Sequence, residues 1–214
     1  MIIDQTTAIS NRASDEHLIT RILSGEKQDF EVIIRRYNQR LFRVGMSVLG
    51  NEGEVEEAMQ AAYLSAYEHL HQFEFRAAFG TWLTRIMLNQ CFKARRSQIR
   101  SSPLTADSEN VINMKTPENV MCSKELNQVL ENAIARLPEK YRLIFVLREI
   151  EELSVKEAAE VAGIQESNVK VRLNRAKSML RQSLNHYMRD SVYPFHLSRC
   201  NEIAASVMGK ILPA

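Results

Sequence analysis

The stretch from Ser154 to Arg181, SVKEAAEVAGIQESNVKVRLNRAKSMLR, constrains this chain more than any other. Its punctuation is that of two short helices joined by a tight turn. Ser154, followed three residues later by Glu157, has the form of a capping box, in which hydroxyl and carboxylate each satisfy a free backbone N–H at a helix start. Ala158, Ala159, Val161 and Ala162 make a helix small enough to pack closely. Gly163 stands where a left-handed helix terminus favours a residue without Cβ. Ser167 is placed to cap the helix that follows. The pattern predicts a helix-turn-helix, a motif whose second helix commonly enters the DNA major groove.

The phase of that second helix separates a buried stripe from a presented face. Val169, Leu173, Ala176 and Leu180 recur at three and four residues. A step of about 100° per residue puts Val171, Asn174, Arg175 and Ser178 opposite them, flanked by Lys170, Arg172 and Lys177. Between Gln165 and Arg189 the only acid is Glu166. Cations release counterions from phosphates, and Arg and Asn also bond base edges. An ordinary solvated helix face explains the charge alone; capping, turn and charge asymmetry together favour DNA.

Charge along the rest of the chain is segregated, although the net value is only +2. From Val44 to Phe75 there is no Lys or Arg, while Glu52, Glu54, Glu56, Glu57, Glu68 and Glu74 are present. Lys93, Arg95, Arg96 and Arg100 then follow without an intervening acid. An acidic surface repels phosphate and two basic ones attract it, so the acidic part fits a protein partner and the basic parts nucleic acid.

Helical spacing dominates throughout, and glycine (7) and proline (5) are scarce, which disfavours a turn-rich β protein. The expected fold is all-α: two small helical domains joined by a flexible linker, the second containing the helix-turn-helix. An extension covers residues 1–14, and the first domain 15–97. Its stripes are Leu18, Ile19, Ile22 and Leu23; Phe30, Ile33, Ile34, Tyr37, Leu41 and Phe42; and Val55, Met59, Ala62, Tyr63, Ala66, Tyr67 and Leu70, with a further helix capped by Thr81. Residues 98–123, with SSP, TADSEN and KTPEN, read as a polar linker broken by Pro103 and Pro117. The second domain spans 124–190, and an amphipathic tail 191–214 follows.

No apolar run approaches the ~20 residues that span a membrane, and the N-terminus lacks a signal-peptide core, so a cytoplasmic chain without stable membrane insertion is expected. Three scattered cysteines make no disulfide framework. His196 and Cys200 have ligand-compatible spacing but no third ligand, so no metal is expected. With no phosphate loop or nucleophile elbow, neither a catalytic residue nor a cofactor nor a small-molecule substrate is expected, and the chain is not an enzyme.

These parts, in this order, resemble the sigma-70 family of bacterial RNA polymerase sigma factors, in its small extracytoplasmic-function (ECF) group. The carriers are EEAMQAAYLSAYEHLHQF and FGTWLTRIMLNQCFKARR in the first domain, and ARLPEKYRLIFVLREIEELSVKEAAEVAGIQESNVKVRLNRAKSML in the second. The resemblance implies sigma region 2 at 15–97 and region 4 at 124–190, with a linker in place of the family's third domain.

It further implies core RNA polymerase as partner, region 2 docking on the β′ clamp helices and region 4 on the β flap. Glu56, Glu57, Gln60 and Tyr63 would dock. Phe75, Arg76, Trp82, Asn89, Lys93, Arg95 and Arg96 would meet the promoter's minus-ten element, which region 2 melts. Ser167, Lys170, Val171, Arg172, Asn174, Arg175 and Lys177 would meet the minus-thirty-five duplex. An anti-sigma factor is a further implied partner.

Two departures stand out. Gln60-Ala61-Ala62-Tyr63 replaces the family's Gln-Glu-x-Phe, and Phe75 replaces the glycine of F-R-G, which predicts an altered minus-ten preference. Two rival functions differ in class. A stand-alone DNA-binding regulator needs only the second domain, and a polymerase-binding repressor keeps the docking helix without melting DNA.

Overall fold

A computed structural model describes residues 13–101, 121–191 and 208. Most of the expected extension, the middle of the expected linker, the tail and the His196/Cys200 pair lie outside the described residues. Eight α-helices make up the described fold, and no strand occurs among the described residues. They are α1 (Asp15–Leu23), α2 (Phe30–Val48), α3 (Glu52–Glu68), α4 (Phe79–Ser101), α5 (Met121–Ala135), α6 (Glu139–Phe145), α7 (Val155–Ala162) and α8 (Glu166–Ser191).

Helices α1–α4 form the first module. Ser14 caps α1, its Oγ accepting from the His17 N–H, and Asn51 caps α3 through the Glu54 N–H. Leu18, Ile19, Ile33, Leu41, Val55, Leu83 and Met87 are essentially inaccessible and form its centre. Gly45 on α2 is what lets three helices meet. A Cβ there would lie 2.6 Å from a Val55 methyl and 2.7 Å from the Met87 methyl, inside any real contact distance. Leu23, expected in the α1 stripe, is exposed because it ends the helix and the chain turns away through Ser24 and Gly25.

The second module is α5–α8. Ala133, Leu137, Ala176 and Leu180 pack α5 against α8. Pro138 immediately precedes α6; its φ of −53° and ψ of 137° aim the chain into the helix. Arg142 is buried: its Nε donates to the Ser47 carbonyl of α2 at 2.8 Å and its guanidinium to the Ala135 carbonyl at 2.6 Å. After α6 the helix widens to a π turn over Val146–Ile150.

The two modules are packed on one another. A single buried cluster runs from Leu18 through α2–α4 into Ile144, Leu147, Ala158 and Val169. α4 packs along α7, and α2 against α6 and the π turn.

Candidate nucleic-acid interface

The helix-turn-helix is built as its sequence requires. Ser154 Oγ accepts from the Glu157 N–H at 3.2 Å, while Glu157 Oε2 accepts from the Ser154 N–H at 2.9 Å. These bonds favour the carboxylate and hold Glu157 below the usual range. Gly163 closes α7 at φ 64°, ψ 36°, the left-handed conformation that spares a glycine the steric cost of a Cβ. The turn is shorter than expected: α8 begins at Glu166, and the Asn168 and Val169 N–H groups bond the Gln165 carbonyl. Ser167 is therefore an exposed residue of the first turn and not its cap.

On α8, Val169, Ala176 and Leu180 are buried and Leu173 is half-buried. Lys170, Val171, Asn174, Arg175, Lys177 and Ser178 are exposed, with Arg172 at the edge. Val171 is 50% exposed, an apolar residue amid polar ones with no packing role. Arg175 donates to the Tyr141 hydroxyl at 3.1 Å, a bond that lowers the pKa of that phenol, and Lys177 lies 2.9 Å from Glu149. The module thus holds two of its cations in place while leaving their outer sides open.

The first module presents a second surface. Phe73, Phe79 and Trp82 form an aromatic cluster with ring centroids 5.3–5.5 Å apart, and the Phe75 ring leans on Phe73 at 4.8 Å. Trp82 is half-buried, so it belongs partly to the core and partly to the surface. Phe75 is 46% exposed and has a φ of 57°. A bulky residue in the left-handed region costs about 1–3 kcal/mol. The loop keeps a glycine's backbone while carrying an aromatic ring. Arg76 beside it is exposed and pairs with Glu74 at 2.7 Å.

Along α4, Asn89, Lys93 and Arg96 are exposed, and Arg95 is half-buried in an ion pair with Glu139. Cys91 beneath them is buried, which pushes its thiol up to about 12 and leaves it unreactive. Thr81 does not cap α4. The helix starts two residues earlier, with the Thr81 and Trp82 N–H groups on the Ala78 carbonyl, and the buried Thr81 hydroxyl donates to Glu157 Oε1 at 3.0 Å.

The acidic face lies on α3. Glu52 and Glu54 sit in its first turn, where they complement the helix dipole and have a structural reason to be acidic. Glu56, Glu57 and Gln60 are exposed beyond that turn. Tyr63, expected among them, lies beneath this face: it is 7% exposed, its hydroxyl donating to the Ile34 carbonyl or Asn38 Oδ1. A residue the sequence did not single out shares the surface. Leu64 is 65% exposed, one helical turn beyond Gln60. Its only sequence signal was its absence from the α3 stripe.

Comparison with known proteins decides the family. Residues 33–101 match the family Sigma-70 region 2, and residues 127–180 match Sigma-70, region 4. The chain is 31% identical over 176 residues to the ECF RNA polymerase sigma factor SigW of Bacillus subtilis, covering 78% of this chain and 94% of that one. This chain belongs to the ECF group of sigma-70 family sigma factors. It is also 29% identical over 191 residues to the ECF RNA polymerase sigma-E factor of Escherichia coli K12, covering 85% of this sigma factor and all of that one.

Among solved structures, CnrH in complex with the cytosolic domain of CnrY shares the fold at a TM-score of 0.59 and 24% identity, covering 81% of this chain and 99% of that one. RpoE of Bartonella quintana, in complex with the anti-sigma factor NepR, gives 0.61 at 20% identity, covering 74% and 98%. Sigma factors are transcription initiation factors and not enzymes. In the described residues of this one, no group of acidic, His and Cys side chains is placed to hold a metal, and no helix is long and apolar enough to cross a membrane.

Proposed function

We propose that this sigma factor binds core RNA polymerase in the cytoplasm and directs initiation at promoters with two separated elements. In this reading α8 reads the minus-thirty-five duplex, and the Phe75 loop and α4 open and hold the minus-ten element. Residues 15–97 and 124–190 are the two functional domains. The observation that carries the reading is the exposed face of α8, where Lys170, Val171, Asn174 and Arg175 stand clear of a packed stripe behind a capped, glycine-closed turn. Lys170 and Arg172 supply phosphate affinity, while Val171, Asn174 and Arg175 meet base edges.

Asn89 bonds the edge of an unstacked minus-ten base, Phe75 and Trp82 offer aromatic surface to it, and Arg76, Lys93, Arg95 and Arg96 track the strand. Glu56, Glu57 and Gln60 dock on the polymerase β′ clamp helices, with Tyr63 supporting them from below. The second domain also contacts the β flap. An anti-sigma protein is the expected antagonist, as in the neighbouring complex with NepR.

The test is run-off transcription with purified core polymerase on genomic promoter fragments. Transcripts that require this chain support the reading. Duplex binding without core, and no transcripts with it, points to a stand-alone regulator. Core binding without initiation points to a repressor.

Phe75 gives a prediction with two readouts. Phe75→Gly relieves the strained φ, so the melting temperature is expected to hold or rise while the preferred minus-ten base changes. Thermal denaturation and a promoter-variant series measure the two. An unchanged base preference contradicts the role given to the ring.

A further inference from the structure

Nothing on α8 itself holds Arg175 in place. Its neighbours one turn away are Val171 and Met179, both exposed and apolar, Ser178, and Arg172, which carries the same charge. Lys177 is paired with Glu149 at 2.9 Å, and no carboxylate pairs with Arg175 among the described residues. What holds Arg175 lies 34 residues earlier in the chain: the Tyr141 hydroxyl, on α6, accepts from Arg175 Nη1 at 3.1 Å. That hydroxyl is itself fixed. The Tyr141 ring is half-buried against the cluster of Ala133, Leu137, Ala176 and Leu180 that joins α5 to α8. The Tyr141 N–H bonds the Pro138 carbonyl at 2.8 Å, and the Lys140 ammonium stands over the ring, 5.1 Å from its centroid.

A neutral partner differs from a carboxylate in what it leaves free. A carboxylate would cancel the charge that draws Arg175 to DNA. A hydroxyl takes one guanidinium N–H and leaves the charge and the other donors for the duplex. An arginine already held in place also loses less rotamer freedom when it settles on a base edge. A tethered guanidinium cannot swing to a phosphate when the base is wrong, so the tether widens the difference between bases.

We infer that Tyr141 is a positioning residue for promoter specificity: its hydroxyl holds the Arg175 guanidinium in the pose that reads a base of the upstream element. The promoter reader thereby extends from the helix-turn-helix to the start of α6. This rests on the reading above in which Arg175 meets a base edge.

The test is run-off transcription by core polymerase with the full chain, on promoters in which each base pair of the upstream element is varied in turn. Wild type is compared with Arg175→Ala, Tyr141→Phe and the double variant. Arg175→Ala should lose the wild-type preference at one position or two adjacent ones. Tyr141→Phe should reduce preference about three- to ten-fold at those same positions and leave the others as in wild type. The double variant should match Arg175→Ala, because a hydroxyl with no guanidinium to hold has no effect. Tyr141→Phe keeps the packed ring, so the melting temperature should stay within about 1 °C of wild type. Without any variant, NMR relaxation of the free chain should show the Arg175 Nε–H more ordered than that of Arg181, an exposed arginine farther along α8.

Four results overturn the inference: unchanged preference in Tyr141→Phe, an equal loss on every promoter, a double variant worse than Arg175→Ala, or equal disorder of the two arginines. A wild type without preference at the upstream element, or an Arg175→Ala that alters none, instead overturns the reading beneath it, and the inference falls with that reading.

Discussion

Arg142→Ala should lower the melting temperature of the whole chain by about 10 °C, a loss of about 3 kcal/mol. Arg142 is 7% exposed, and its guanidinium serves three carbonyls, of Ser47, Ala135 and Leu137. Burial lowers its pKa, but arginine keeps its charge even so. Truncation leaves those carbonyls without a donor in a space water does not freely reach, and the cost of an unmade buried bond exceeds the gain from a made one. Because Ala135 ends α5 and Leu137 lies between α5 and α6 while Ser47 belongs to α2, the loss is felt in both modules. Arg142→Lys should recover little, since an ammonium lacks the planar fork that reaches two directions at once. Denaturation followed by circular dichroism checks this; a change under 1 °C contradicts the role.

Reversing the charge of the α3 face, with Glu56→Lys and Glu57→Lys together, should weaken binding to core polymerase about 100-fold, in the range measured for close interfacial charge pairs. Both side chains are exposed and beyond the first turn of α3, so the fold does not depend on them. The expected pattern is a large loss of affinity in a core-binding titration with the melting temperature of the free chain unchanged. Affinity within two-fold of wild type would move the docking surface elsewhere.

What the sequence made legible is what depends on near neighbours. The Ser154–Glu157 box, the Gly163 terminus and the Val169–Leu180 stripe each follow from residues within a few positions of one another, and each is found in place. Helix starts were less legible. Thr81 and Ser167 are natural caps by chemistry, but both fall inside helices that begin earlier, with the first backbone bonds reaching the carbonyls of Ala78 and Gln165. Tyr63 belonged to the apolar stripe of α3 by its spacing and took a docking role only through the resemblance; packing against α2 buries it, as the stripe requires.

The pairing of Arg40 and Arg43 with Glu151 has no local signature, since its members are brought together only by the docking of one module on another. The strain at Phe75 is a backbone property that its side chain disguises. Where the family's F-R-G carries glycine, Phe75 keeps a left-handed backbone and adds an exposed ring.

The most direct measurement is a promoter-wide selection with core polymerase, comparing wild type with Asn174→Ala and Asn89→Ala. Each position of both elements is randomised and the initiated transcripts are sequenced. Asn174→Ala should relax preference at positions within the upstream element alone, and Asn89→Ala at positions within the downstream element alone, each by about 1–3 kcal/mol of discrimination. Both variants altering the same element, or neither altering any, would contradict a chain that reads a promoter with two separate helical surfaces.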